Sequence, residues 1–309
     1  MLFRFGPKWG HGSIDFAGSG VVHAMGGVAA FWGAKVLGAR IGKFDKDGNP
    51  RAIPGHHIPM AFLGTMVLLV GWMGFNGAST FAATDFRFTV VIVNTILAAA
   101  FGCLTTMFVM WKKYGKPDPS MTCNGLLAGL VAITAPCAFV APWAAALIGV
   151  VAGVLVVVGV VVVEQKFKVD DPVGAVAVHG VNGLWGLVAL GLFADGTYGS
   201  GWNGVDGAVK GLFYGDAGQL WAQLASVVVL ITWCSIASLA FFVIVKRTIG
   251  LRSTAAAETA GLDMPEMGAL AYPDFLEAQG AVFYSTDGAT PVDLVPTDAA
   301  SLRHEVGVQ

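Results

Sequence analysis

Long apolar stretches separated by short polar connections organise most of this chain. They fall at about 13–39, 56–80, 87–111, 120–142, 143–163, 172–194 and 218–245. A helix needs about 20 apolar residues to cross the roughly 30 Å hydrocarbon layer of a bilayer, and each stretch approaches or exceeds that length. Spanning segments must satisfy their backbone internally, and these runs are too long for barrel strands, so helices are expected. The fourth stretch is the weakest, because Pro136 and Pro142 shorten it. The pattern predicts an all-α, polytopic transmembrane bundle of about seven spans. After residue 252 it changes to a moderately acidic, soluble character. Residues 1–252 therefore read as a membrane domain and 253–309 as a tail, irregular towards its end.

Basic residues orient the spans. Lys35, Arg40, Lys43, Lys46 and Arg51 follow the first span, Lys112, Lys113 and Lys116 the third, Lys166 and Lys168 the fifth, and Lys246, Arg247 and Arg252 the seventh. The opposite side carries Arg4, Lys8, Arg87 and Lys210. The positive-inside bias places the C-terminus in the cytoplasm and the N-terminus outside a cell membrane.

Two segments repeat one pattern: Asp15-Phe-Ala-Gly-Ser-Gly-Val-Val-His23 and Asp171-Pro-Val-Gly-Ala-Val-Ala-Val-His179. Gly18 matches Gly174, Val22 matches Val178, and Gly27 matches Gly183. An Asp and a His are costly in lipid, so the same pair met twice points to one shared site. Eight residues cover about 12 Å of helix, which sets each His below its Asp on nearly one face. Each Asp stands where the apolar run begins, a natural capping position that favours structural support. The two spans run in opposite directions, the mark of an inverted repeat with its functional residues near the midplane. Paired imidazoles can share a hydrogen bond, relay a proton and accept from a small polar substrate.

Composition narrows the chemistry. The 309 residues are 55% hydrophobic and only 12% charged, with mean hydropathy +0.69, which excludes a disordered chain. A net charge of −2 gives no footprint for nucleic acid. Cys103, Cys123, Cys137 and Cys234 lack metal-ligand spacing and read as small buried hydrophobes. Zinc is disfavoured because no third ligand accompanies the histidines, and no cofactor is expected. No signal peptide is visible. Asp170 reads as a solvated loop charge, and His56 and His57 as solvated or capping residues. On the second span, Trp72 and Phe75 share a face and Ser79 follows one turn later. They fit either an interfacial aromatic belt or an outer site for a small cation.

Asp15 to Gly27 resembles the characteristic segment of the ammonium transporter family, the Amt/Mep/Rh superfamily. Gly71 to Ser79, Cys123 to Thr134, Asp170 to Gly180, and the tail residues Gly250 through Asp263 and Glu266 to Tyr272 are similar to further family blocks in the same order. The resemblance implies a homotrimer with one pore per subunit. His23 and His179 would be its twin pore histidines, Phe75 one of two gating phenylalanines, and Trp72 and Ser79 residues near an external ammonium site. It makes Asp15 the acidic support of that site and Asp171 its symmetry mate. The tail resembles a segment that couples subunits and, in many members, meets a PII-type signalling protein. Met267 stands where the family usually has His.

Family members usually have eleven spans, five plus five inverted and one more, and this chain resembles the fifth onwards. The second gating phenylalanine is not among the matched blocks, and His23 is expected to face lipid or a neighbour. A complete pore is not expected from this polypeptide alone. The resemblance implies recruitment of NH4+, its deprotonation and passage of ammonia past the histidines, a transport function and not an enzyme. The rivals are an ammonium sensor signalling through the tail, an inactive transporter fragment, and an intramembrane enzyme, which lacks a nucleophile.

Overall fold

The computed structural model describes residues 9–82, 84, 85, 87–200, 205–272, 283, 284, 291 and 292. Arg4, Lys8 and the end of the tail lie outside these. Among the described residues, six helices are long and apolar enough to cross a membrane: α1 (Ser19–Leu37), α2 (Ile58–Ala78), α3 (Phe88–Tyr114), α5 (Pro142–Gln165), α6 (Val176–Phe193) and α7 (Ala217–Thr248). Between α3 and α5 stands the shorter apolar helix α4 (Pro119–Ile133). The Val-rich run of α5 would favour a strand at a half-buried surface, yet it is helical here. Only helices keep every backbone group bonded within one segment in lipid. Large side chains such as Val67, Val70, Val228 and Trp233 are more than half exposed, an outer surface suited to acyl chains.

At 1.5 Å per residue, the 15 residues of α4 span roughly 22 Å, short of the bilayer core. The expected span 120–142 therefore divides into a helix and a compact turn. Pro136 lacks the N–H that would continue the ladder. Asn94 of α3 takes up the turn's carbonyls, donating through Nδ2 to Cys137 O at 2.9 Å and Val140 O at 2.8 Å. Asp118 caps the other end of α4 by accepting from Met121 N–H at 2.7 Å.

Helix directions follow from close contacts. A Cβ on Gly129 would lie 2.1 Å from Ala98 O, and one on Gly125 would lie 2.3 Å from Thr106 Oγ1, so α4 is antiparallel to α3. Gly149 and Gly153 meet Ala98 and Gly102 in turn, so α5 runs parallel to α3. Asn76 bonds Thr95 while Gly77 meets Phe88 and Ile92, which makes α2 antiparallel to α3. Gly159 touches Ala177, and Trp185 bonds Ile148 O, so α6 opposes α5. On α7, Gln219, Gln223, Phe242 and Lys246 meet Gly12, Ile14, Gly33 and Val36 in order, so α7 parallels α1. With α1 opposing α6, direction alternates through all seven helices. The short α4 therefore counts as a crossing.

The chain divides into two compact units, Met1–Ile249 and Gly250–Gln309. In the second, Thr254 caps the short α8 (Ala255–Ala260) through Ala257 N–H, and Arg252 pairs with Glu258 at 2.7 Å. A turn at Asp263–Met267 follows, then a two-residue antiparallel pairing of β1 (Phe283–Tyr284) with β2 (Pro291–Val292).

Candidate functional site

The repeated motif folds the same way twice, though not as the two helical turns its spacing suggests. Gly18 and Gly174 adopt positive φ angles of 110° and 74°, a conformation that a side chain would strain. This break sets each Asp before its helix. Asp15 Oδ2 then accepts from Gly20 and Val21 N–H at 3.0 and 2.9 Å. Asp171 accepts from Ala175 and Val176 N–H, both at 2.8 Å. Both helices open with a wide turn, Ser19–Ala24 in α1 and Val176–Val181 in α6. In the first, His23 N–H reaches back five residues to Gly18 O at 3.1 Å. Such widened turns recur at functional positions because they re-aim a side chain within a helix.

Both turns aim their His at one point. His23 Nδ1 lies 3.2 Å from His179 Nδ1, the rings meeting edge to edge with their planes inclined at 22°. A Cβ on Gly27 would stand 2.0 Å from Gly180 N, and one on Gly183 would stand 2.6 Å from Ala24 N. Adding 156 to each residue of one copy gives its mate, and the contact Gly27·Gly180 then becomes Gly183·Ala24. The His contact maps onto itself. The internal two-fold axis therefore passes between the two imidazoles.

His23 is only 8% exposed, against the expectation that it would face lipid or a neighbour. Trp72 stacks on the face of the His23 ring at 4.9 Å and 18°, and Phe75 leans on it at 5.8 Å. Trp72 is fixed in turn, its Nε1–H donating to Thr134 Oγ1 at 2.9 Å at the end of α4. Phe75 is 42% exposed, and Ser79 Oγ donates to Phe75 O at 2.8 Å. The structure thus brings His23, His179, Trp72 and Phe75 into one cluster, with Ser79 a turn beyond. His23 Nε2 is buried and makes no hydrogen bond within the described protein.

On the His179 side a cavity of about 400 Å³ opens, lined by Ile58, Thr65, Asn124, Glu164, Asp171 and His179 among others. Asn124 Nδ2 donates to Val173 O at 3.1 Å, steadying the loop before α6. Asp170 is not the solvated charge its loop position suggests: it is 5% exposed and bound by Arg40 Nε and Nη2 at 2.8 and 2.9 Å. Burial acts to raise its carboxyl, but the hydrogen bonds and charge of Arg40 outweigh this and hold it below the usual carboxylate range. His57 caps α2, accepting from Met60 N–H at 3.0 Å. The individual roles of Thr134, Asn124 and Arg40 were not legible in sequence, because their partners lie 49 to 130 residues away.

The profile of the Ammonium Transporter Family matches residues 3–272. Ammonium transporter Amt2 of Archaeoglobus fulgidus is 49% identical over 267 residues, covering 86% of this chain and 57% of that protein. Ammonium transporter 1 member 1 of Solanum lycopersicum is 40% identical over 278 residues, covering 85% and 57%. Among solved structures, one titled Sensor Amt Protein superposes with a TM-score of 0.76 at 35% identity, covering 82% of this chain and 60% of that one. Mep2 of Saccharomyces cerevisiae gives 0.71 at 31%, covering 79% and 54%. The chain thus spans a little over half the length of these relatives.

Proposed function

The chain belongs to the ammonium transporter family, and on that premise we propose that it carries the twin-histidine part of a path for ammonium across a membrane. The observation that carries this reading is the His23–His179 contact at 3.2 Å, set on the internal axis between an aromatic cluster and a cavity. Ammonium and potassium ions have similar size and charge, and a bare ion is too costly to bury. Ammonium alone can leave its proton behind. In this reading Trp72 and Phe75 attract the cation through their ring faces, and Ser79 accepts from it. Neutral ammonia then passes the imidazoles.

The Nδ1–Nδ1 contact supports the second half. One Nδ1 must donate and the other accept, so the two neutral rings share one proton between them. The donor ring then offers a bare Nε2 and the acceptor ring an Nε2–H. Such a pair meets both the N–H groups and the lone pair of ammonia. Asp15 and Asp171 support it indirectly, by holding the turns that aim the rings.

The wider assembly belongs to the same proposal: a homotrimer, the N-terminus outside, and a cytoplasmic tail from about residue 253 open to a PII-type partner. The test is solute flux into proteoliposomes holding the reconstituted chain. An ammonium gradient should raise lumenal pH while a potassium gradient drives no current. His179→Ala should change the ammonium rate about ten-fold or more, or admit potassium. No ammonium-driven signal from the unaltered chain would overturn transport by this polypeptide alone. An unchanged rate and selectivity in the variant would overturn the relay alone.

A further inference from the structure

The two histidines are held in different ways. His23 lies against Trp72 and Phe75, so its ring plane is set by packing. Among the described residues, the aromatic neighbour of His179 is His23 itself. Its other surroundings include the open cavity. Beyond the His23 contact, its orientation comes through its own backbone, from the turn that Asp171 holds through Ala175 and Val176 N–H. What then holds Asp171?

The residue before it does. Asp170 is gripped three times by Arg40: by Nε at 2.8 Å, by Nη2 at 2.9 Å, and by the backbone N–H at 2.9 Å. Arg40 follows the end of α1, the helix that carries His23. The two helices thus meet at the imidazoles and are tied again beyond them. Neighbouring contacts reinforce the tie. Lys43, 4% exposed, pairs with Glu164 at 2.5 Å. Lys35 Nζ donates to Phe167 O at 3.0 Å, and Lys168 Nζ to Gly48 O at 2.7 Å. The axis makes this end exceptional. Adding 156 maps Ile14 onto Asp170, so the Asp15 copy has an apolar residue at the matching position. That copy has an aromatic brace and no matching acid; the Asp171 copy has the acid and the ion pair.

We propose that the Arg40–Asp170 ion pair is a positioning device for His179, fixing the Asp171 turn so that the His179 ring stays on the internal axis. Arg suits this task because its planar fork sets direction as well as charge. The device rests on the histidine pair being functional, but its geometry can be read without transport.

The experiment is nitrogen NMR of the chain labelled with 15N-histidine and held in lipid, comparing wild type, Arg40→Lys, and the double variant Arg40→Gln/Asp170→Asn. Removing both charges together avoids leaving one buried and unpaired, so the double variant should remain folded. Its His179 Nδ1 resonance should move and the donor–acceptor difference between the two Nδ1 atoms should collapse. Arg40→Lys, which keeps charge but loses the fork, should fall between. Ammonium flux in proteoliposomes should drop about 10- to 100-fold, by analogy with the loss of groups that orient metal-ligating histidines. A folded double variant with both Nδ1 resonances unmoved overturns the proposal, whatever the flux. Should the double variant fail to fold, Arg40→Lys decides: unmoved resonances overturn the proposal, and a displaced His179 resonance supports it. Displaced resonances in a chain that carries no ammonium would keep the device and reject transport by this polypeptide alone.

Discussion

Gly27 shows how little room the site leaves at the level of one residue. The place for its Cβ is 2.0 Å from Gly180 N, so backbone touches backbone just below the imidazoles. Gly27→Ala must part α1 from α6, and a loss of about 1–3 kcal/mol is expected, with the His contact broken. Gly26 is the control, since a Cβ there would meet nothing within 4 Å. Thermal melts in detergent should separate the two variants clearly. Trp72→Phe keeps a ring against His23 but removes the bond to Thr134, leaving a buried hydroxyl without that donor. About 1 kcal/mol of stability should be lost. Thr134→Val in the same chain should add little further, because the interaction is already gone.

Among the elements, α4 carries the clearest prediction. Its end is finished by Asn94, a side chain from another helix. Asn94→Leu would leave two buried carbonyls without that donor, at a cost of about 1–3 kcal/mol each. Hydrogen exchange should quicken across residues 134–140 while the middle of α5 stays protected. The helices themselves were legible in the sequence, because apolar length and basic flanks are local properties. The Asp-to-His repeat was legible too, since its spacing is conspicuous within one chain. The shortness of α4 was half-written in Pro136, but its rescue by Asn94 was not, because 43 residues separate donor and acceptor. The positive φ angles at Gly18 and Gly174 and the wide turns beyond them were hidden for another reason. A glycine in an apolar run reads equally well as close packing. Asp170 misled because a charge in a loop looks solvated until its partner, 130 residues away, is placed.

The whole molecule should respond to acid through that last pair. The Asp170 carboxyl lies below its ordinary value of 3.8 when folded. Its contribution is therefore fully present above pH 3.8 and lost as pH falls through the lower, folded value. Melting temperature should lose that contribution only in strong acid, and Asp170→Asn should remove this part of the acid limb. Orientation is open to a direct check. Single cysteines introduced at Gly115 and Gly196, in a background with the four native cysteines replaced, should label from opposite faces of the membrane with an impermeant thiol reagent. Labelling from one face would overturn the alternating order of the helices. That order is also what places an axis between the imidazoles, and the axis has a consequence for one-way flow. Two rings exchanged by a half-turn look alike from either face, so the pair by itself is a resistor and cannot be a diode. Any rectification in this molecule must reside in what the axis fails to repeat: rings at one end, an ion pair at the other.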